Sequence, residues 1–400
     1  MTKRQDAEME ENQNSDMTEK KMTAAERDLE QSGMELYSGM KPVEGEGGSL
    51  TEEERLKLLA DPLLFWYDRN KRDLPWRKEP TPYHVWLSEI MLQQTRVEAV
   101  IPYYNRFLER LPDIPALAQV EEEELMKLWQ GLGYYNRARN LKAAAEQAVM
   151  QYGGNLPGDY ADLLKLPGIG SYTAGAIASI AFGIPRPAVD GNVLRVAARI
   201  LASEEDIGQA KTKKKMEELF LTVMPQDRPG DFNQALMELG ATVCIPNGAP
   251  HCEACPASGI CLAYRKGKTD SIPCKAPKKP RRIEERTVLL IRWEDGYAIR
   301  KRPSTGLLAN LYEFPNVEGT LNGEQLAQYL IEAGENSFSA EPLPPSRHIF
   351  THVEWRMTAY YVTLRKKKGE QFRYYKKEDI LENYAIPSAF SAYLEILKKR

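Results

Sequence analysis

The stretch from Ala161 to Val193, ADLLKLPGIGSYTAGAIASIAFGIPRPAVDGNV, constrains this chain more than any other. Leu163, Leu164 and Leu166 close an apolar helical face, and Pro167 stops that helix because it cannot supply the next backbone N–H. Gly168-Ile169-Gly170 turns the chain through angles that Gly tolerates. Ser171 is placed to cap a second helix through Ala181, and Asp190 to cap a third. The amides of Gly168, Gly170 and Tyr172 are then left unpaired at the positive end of a helix dipole, an arrangement suited to a phosphate. The same segment would also serve as a plain bend in an all-helical core, so the rest of the chain must separate the two readings.

The 400 residues divide by pattern into several parts. Residues 1–50 hold twelve Asp and Glu against six Lys and Arg, and read as a disordered acidic tail ending in a Gly-rich joint. The net charge of −3 for the whole chain therefore leaves +3 on the remaining 350 residues. That value says little about nucleic acid unless the charge is local. From 51 to 264 the hydrophobic period is helical throughout, which predicts an all-α domain of about ten helices opening on a Thr51–Glu54 capping box. Residues 265–286 carry Lys266, Lys268, Lys275, Lys278, Lys279, Arg281 and Arg282 among three prolines, and read as an extended basic linker. It could be a solvated tether or rest on phosphates. From 287 to 400 the period changes to two, with Asp295-Gly296 as a hairpin signal, a helix near 323–333 and a last helix from Ser388. This predicts a separate α+β domain.

Four of the five cysteines cluster as Cys244-x7-Cys252-x2-Cys255-x5-Cys261. Four thiolates so close in sequence can close round one metal centre, and both zinc and an iron–sulfur cluster accept four Cys. Only Cys252 and Cys255 form a C-x2-C knuckle, and this leans towards a cubane cluster. Metal-binding cysteines, no apolar segment of membrane-spanning length and a charged N-terminus together imply a reducing cytoplasm and no membrane association.

Two carboxylates stand in opposed settings. Glu89 lies in Val85-Trp86-Leu87-Ser88-Glu89-Ile90-Met91-Leu92, apolar on nearly every side, where burial favours the neutral acid. The alternative is a structural pair with Arg72, Arg77 or Arg96. Asp190 precedes Gly191-Asn192-Val193 and reads as an N-cap, where backbone N–H bonds and the helix dipole favour the charged form. One carboxyl held neutral and one held charged suits an acid and an electrostatic stabiliser, the pair that glycosidic cleavage through a cationic sugar needs.

With Leu74-Pro75-Trp76-Arg77, Ser88 to Thr95, Gly131-Leu132-Gly133-Tyr134-Tyr135, Leu166 to Ala174, Val189 to Val193 and the Cys cluster, the chain resembles the helix-hairpin-helix DNA glycosylase superfamily. Within it, the chain is similar to the adenine-specific MutY branch. The resemblance implies a multidomain fold: an all-α helix-hairpin-helix glycosylase domain with an iron–sulfur loop, and a Nudix-like (MutT-like) α+β C-terminal domain. It implies flipping of adenine mispaired with 8-oxoguanine or guanine out of double-stranded DNA and hydrolysis of its N-glycosidic bond. Glu89 would protonate the adenine, Asp190 would stabilise the oxocarbenium sugar, and Tyr172 and Asn192 would orient them and the water. Gln94 and Tyr134 would fill the gap beside the orphan base. Arg72, Trp76, Arg77 and Gln234 would contact the DNA or line the adenine pocket, and Gly168 and Gly170 would hold a phosphate. Phe350-Thr351-His352 would read 8-oxoguanine. Cys244, Cys252, Cys255 and Cys261 would hold a [4Fe-4S] cluster that shapes a DNA-contacting loop. A monomer working on the bacterial nucleoid is the corresponding expectation.

The chain departs from the family pattern at several points. The first Cys gap is seven residues rather than six, Gln234 stands where some relatives have Glu, and Thr351 replaces Ser. The helix Glu324 to Gly334 retains only Glu332 where a Nudix hydrolase needs several Glu, with Ala327 and Gln328 at the Arg-Glu positions. This implies a domain that keeps the shape without the phosphate chemistry. Related endonuclease III-like lyases carry Lys where this chain has Ser171-Tyr172, which favours a monofunctional glycosylase. An endonuclease III-like pyrimidine-damage glycosylase and lyase, or a non-catalytic metal-bearing DNA-binding protein, are the competing readings.

Overall fold

The structure, a computed structural model, describes residues 50–277 and 279–400. All but the last residue of the expected acidic tail lies outside them. Among the described residues no helix is long and apolar enough to cross a membrane. The chain divides into two compact units.

The first unit gathers the residues up to Lys71 with Asp190–Pro225 and Gln234–Cys274. It opens on Glu52–Lys57, where the predicted capping box forms: Thr51 Oγ1 accepts from Glu54 N, and the Glu54 carboxylate accepts from Thr51 N at 2.8 Å. The central helix Gly191–Leu201 is buried from Val193 to Leu201. The helices Ala60–Asn70, Ala210–Val223 and Leu262–Arg265, and most of Pro229–Thr242, complete the unit. Buried Arg55 donates to the Ile260 carbonyl at 2.9 Å, tying the N-terminal helix to the cysteine loop.

The second unit comprises Arg72–Val189, Gln226–Asn233 and Lys275–Arg400. Its helical part runs through Pro82–Leu92, Val97–Arg110, Glu122–Leu128, Asn136–Tyr152 and Ser171–Ala176. Among the described residues the helices exceed ten partly because Pro75–Lys78, Ile114–Gln119 and Leu262–Arg265 are one-turn or six-residue pieces too short for a periodicity. One apolar core joins Trp86, Leu87, Met91, Phe107, Leu125, Trp129, Leu141 and Ile177.

Ser171 does not cap its helix: Gly170 is the N-cap, no side chain caps it, and Ser171 is the first helical residue. The helix then widens into a π-helical turn over Ile177–Ala181. Asn233 secures that turn and the segment beyond it. Its amide donates to Ser179 Oγ and the Arg186 carbonyl, both at 2.8 Å, and its oxygen accepts from Ala188 N at 3.0 Å.

The C-terminal sheet has seven strands: β1 Arg282–Trp293, β2 Gly296–Lys301, β3 Tyr312–Glu313, β4 Asn316–Glu318, β5 Phe338–Ile349, β6 Val353–Leu364 and β7 Arg373–Lys376. The main order is β3-β2-β1-β6-β5, with β4 added to β1 and β7 to β2. β1 and β6 run parallel over their whole lengths, from Arg282↔Val353 to Trp293↔Leu364. The strand β1 therefore begins inside the predicted basic linker, because its first residues pair although they are charged. The hairpin also shifts by one residue. Trp293 pairs with Gly296, so the turn is Glu294-Asp295, with Glu294 at φ 53° and Gly296 already in the strand. The helix Gly323–Glu332 covers one face, and Lys377–Asn383 with Ser391–Lys399 cover the other.

Within this unit the sheet part holds the helical part through side-chain to backbone bonds. Lys127 donates to the Leu381 and Tyr384 carbonyls, Gln130 to Ile386, and Arg139 to Ala309. Lys301 pairs with Glu123 at 2.7 Å.

Candidate active site

Glu89 sits on the helix Pro82–Leu92, which Thr81 caps by accepting from His84 N. Val85, Trp86, Leu87, Ile90 and Met91 bury the helix round it, and Glu89 itself is only 6 % exposed. The Tyr172 hydroxyl donates to Glu89 Oε2. Tyr172 follows the glycine hairpin, so that hairpin delivers the donor to the carboxylate. Gly168 has φ +76°, and a Cβ there would lie 2.7 Å from Asn140 Cβ, so the turn requires glycine twice over. Neither Gly168 N nor Gly170 N has a backbone partner among the described residues, whereas Ile169 N bonds to the Leu166 carbonyl.

Asp190 is the N-cap of Gly191–Leu201. Its Oδ1 accepts from Asn192 N and Val193 N, both at 2.8 Å, and its Oδ2 accepts from Asn192 Nδ2 at 2.9 Å. The residue as a whole is half-buried, yet burial of its carboxyl is the strongest influence and pushes the pKa above the ordinary aspartate value. The cap bonds and the nearby Arg195 oppose that shift without cancelling it. Capping alone predicts a carboxyl held below the ordinary value; desolvation at the buried end of the helix outweighs it.

Arg195 fixes the orientation of Asn192. It donates to Asn192 Oδ1 at 2.9 Å, which turns Nδ2 towards Asp190. The same guanidinium donates to the Gly240 carbonyl at 2.7 Å and the Cys244 carbonyl at 2.8 Å. One turn later, Arg199 donates to Cys244 Sγ at 3.3 Å and to the Ile245 and Ile272 carbonyls. Two arginines four apart on a buried helix face were the available sequence signal, and patterning passed over them because charged residues usually mark a solvent face.

The four cysteines line one cavity with Val196, Ile200, Leu239 and Val243. Among the described residues no three His, Cys, Asp or Glu side chains converge as they would on a single metal ion. Four thiols round a common cavity, with Arg199 directed at one sulfur, nevertheless suit a larger iron–sulfur centre whose sulfurs accept hydrogen bonds. Burial pushes Cys255 up to about 12 and Cys261 up to about 11, so a metal centre would have to displace protons there.

Gln94 and Tyr134 both have left-handed backbones, at φ 62° and 47°. One residue supports both. The buried Arg137 donates to the Ile90, Met91 and Gln93 carbonyls at 2.7–2.9 Å, and to the Leu132 and Gly133 carbonyls at 3.1–3.2 Å. It thus ties the end of the Glu89 helix to the Gly131–Tyr134 loop. Gln94 is exposed and Tyr134 is 51 % exposed, so the strain presents two side chains to solvent. The Tyr134 hydroxyl lies 3.2 Å from Thr351 Oγ1, which brings the two loops together.

Trp76 is buried in the core, edge-on to Tyr104 at 5.4 Å. Arg77 donates to the Arg72 carbonyl at 2.9 Å, and Arg72 approaches Glu98 at 3.9 Å. Gln234 is half-buried on Pro229–Thr242. Phe350, Thr351 and His352 form the turn between β5 and β6, where Phe350 packs on His348 at 4.6 Å and on Trp355 at 4.9 Å. Arg281 and Arg282 hold that turn through the Phe350 and His352 carbonyls.

Residues 87–225 match the model of the HhH-GPD superfamily of base excision DNA repair proteins, and residues 287–395 match a NUDIX domain. An adenine DNA glycosylase of Mus musculus is 37 % identical over 76 % of this chain and 70 % of its own length. The chain belongs to the adenine DNA glycosylase family. Glycosylases of that name from Arabidopsis thaliana and from Buchnera aphidicola subsp. Acyrthosiphon pisum are 38 % and 35 % identical, over 77 % and 72 % of this chain and 58 % and 82 % of theirs. A solved thermostable thymine-DNA glycosylase aligns with 53 % of this glycosylase and 97 % of that chain, at 31 % identity and a TM-score of 0.49. A non-covalent endonuclease III–DNA complex aligns with 55 % and 99 %, at 24 % identity and a TM-score of 0.47.

Proposed function

We propose that this enzyme removes adenine paired with 8-oxoguanine or guanine by hydrolysis, with Glu89 and Asp190 dividing the chemistry. As a member of the adenine DNA glycosylase family it is an N-glycosylase acting on DNA. Glu89 donates a proton to the extruded adenine and makes it a better leaving group. The Tyr172 hydroxyl holds that carboxyl in one rotamer and stabilises the carboxylate left after proton transfer. Asp190 stands against the oxocarbenium charge that develops at the sugar, and Asn192, oriented by Arg195, keeps the carboxylate and a water in place. Gln94 and Tyr134 occupy the space left by the flipped base. Thr351 faces 8-oxoguanine. Cys244, Cys252, Cys255 and Cys261 hold a [4Fe-4S] cluster that orders their loop and takes no part in bond breaking.

The observation that carries this reading is the bond from Tyr172 to Glu89. The position where lyase relatives carry a Schiff-base lysine is here occupied by a phenol committed to the carboxylate, which favours simple hydrolysis over the lyase alternative. A strand-cleavage assay on adenine opposite 8-oxoguanine tests it. Cleavage that appears only after alkali supports a monofunctional glycosylase. Borohydride trapping of a covalent adduct would overturn the reading.

A further inference from the structure

The loop joining β6 to β7 has no part in the chemistry above. It carries Arg365, Lys366, Lys367 and Lys368 in succession, all exposed. Among the described residues none of the four joins a salt bridge, although ion pairs are frequent elsewhere on this surface. Four adjacent unpaired cations repel one another, so a chain gains nothing in stability from placing them together.

The loop is nevertheless firmly held. Glu335, fully buried, accepts from Lys368 N at 3.1 Å and Gly369 N at 3.2 Å. Arg365 N donates to the Ser337 carbonyl at 2.8 Å. Gly369 packs so closely that a Cβ there would lie 2.1 Å from the Ala333 carbonyl oxygen. The Lys367 ammonium stands over both Trp293 and Tyr374, at 5.2 and 5.3 Å from the ring centres. A buried carboxylate used only to fix a row of cations describes a preorganised surface for a polyanion.

We propose that Arg365–Lys368 is a second contact with the duplex backbone, remote from the lesion. The loop lies at the opposite end of β6 from Thr351. Eleven residue steps of about 3.3 Å separate the ends Val353 and Leu364, roughly 36 Å in all. At about 3.4 Å per base pair this corresponds to some ten or eleven base pairs of flanking DNA. This span is counted from Thr351 standing at the orphan base, as in the function proposed above. The contact itself requires only that the partner be duplex DNA.

The test compares the full chain with the triple variant Lys366→Gln, Lys367→Gln, Lys368→Gln. Affinity is measured on 15-base-pair and 40-base-pair duplexes centred on adenine opposite 8-oxoguanine. The exposed positions leave the fold intact, which a thermal melt checks. We expect Kd on the long duplex to rise at least about fivefold at 0.1 M salt, and the slope of log Kd against log salt to fall by about two to three. Affinity for the short duplex and single-turnover excision on it stay unchanged. Equal affinities of parent and variant on the long duplex would overturn the proposal, and so would equal losses on both lengths. A loss confined to binding of phosphatidylglycerol vesicles would reassign the loop to a membrane surface. Thr351→Ala, assayed for preference between 8-oxoguanine and guanine, tests the reading loop separately, so failure of one assignment is distinguishable from failure of the other.

Discussion

Tyr172 donates its hydroxyl to Glu89 across 83 residues of sequence. The bond joins the helix after the glycine hairpin to the apolar helix Pro82–Leu92. Its consequence is a carboxyl with one fixed orientation in a site from which water is largely excluded. Glu89→Gln keeps the shape and removes the transferable proton. Excision should fall by about a thousandfold, within the 10²–10⁴ range of general acid catalysis, while affinity for the mispair changes less than about threefold. Tyr172→Phe should lose about tenfold in the single-turnover rate with the same retention of binding. Near-parental rates in Glu89→Gln would remove this residue from the mechanism.

Asp190 gives a pH prediction of definite sign. Burial raises its carboxyl above the ordinary value of 3.8 in the folded protein. The folded state therefore binds this proton more tightly than the unfolded state. The favourable contribution is complete below pH 3.8 and is lost as pH rises through the raised folded value. By pH 7 that favourable contribution has diminished, so Asp190→Asn, which has no such titration, should melt at the same or a higher temperature there. The difference should shrink as the pH approaches 4. Excision should be abolished in the same variant, and the acid limb of the parental rate profile should lie above the ordinary aspartate range. Melting curves across pH 4–8, with rates on the same samples, check both. A variant that melts lower at pH 7 than at pH 4, relative to the parent, contradicts the sign.

Arg137 serves five backbone carbonyls through two terminal nitrogens. A lysine ammonium offers three protons from one point and cannot reproduce the fork. Arg137→Lys should cost about 2–4 kcal/mol by urea unfolding, since at least two buried carbonyls lose their partner. Gln94 and Tyr134 should lose their fixed left-handed geometry with it, and affinity for the mispair should fall more than affinity for undamaged duplex. Unchanged unfolding and unchanged discrimination would mean that the two loops hold themselves.

The cysteine cavity predicts a brown protein with about four irons per chain and a matching sulfide content. Cys255→Ser should lower both and loosen the loop that Arg195 and Arg199 hold, which protease sensitivity between Ile245 and Cys261 would report. Arg199→Leu removes the donor to Cys244 Sγ and should shift the reduction potential of the centre without emptying it. A colourless, zinc-loaded sample would defeat the assignment.

Much of this was legible in the chain itself. The capping box at Thr51 and the change of period near residue 287 follow from local pattern. So does Asp190 as a cap, because a cap is decided by its own neighbours in sequence. The shift of the hairpin turn to Glu294-Asp295 was not legible. A strong Asp-Gly signal lost there to the pairing of Trp293 with Gly296, which the whole sheet sets.

What only the tertiary structure decided is which distant groups serve each carboxylate and loop. Arg137, Arg195 and Arg199 look like surface charges in the sequence, yet each is surrounded by carbonyls that folding brings together. The direction of the Asp190 shift belongs here too. Capping bonds are local and visible, whereas desolvation is the summed effect of everything packed round a group. Local hydrogen bonding and period are properties of neighbouring residues, and burial is a property of the whole fold.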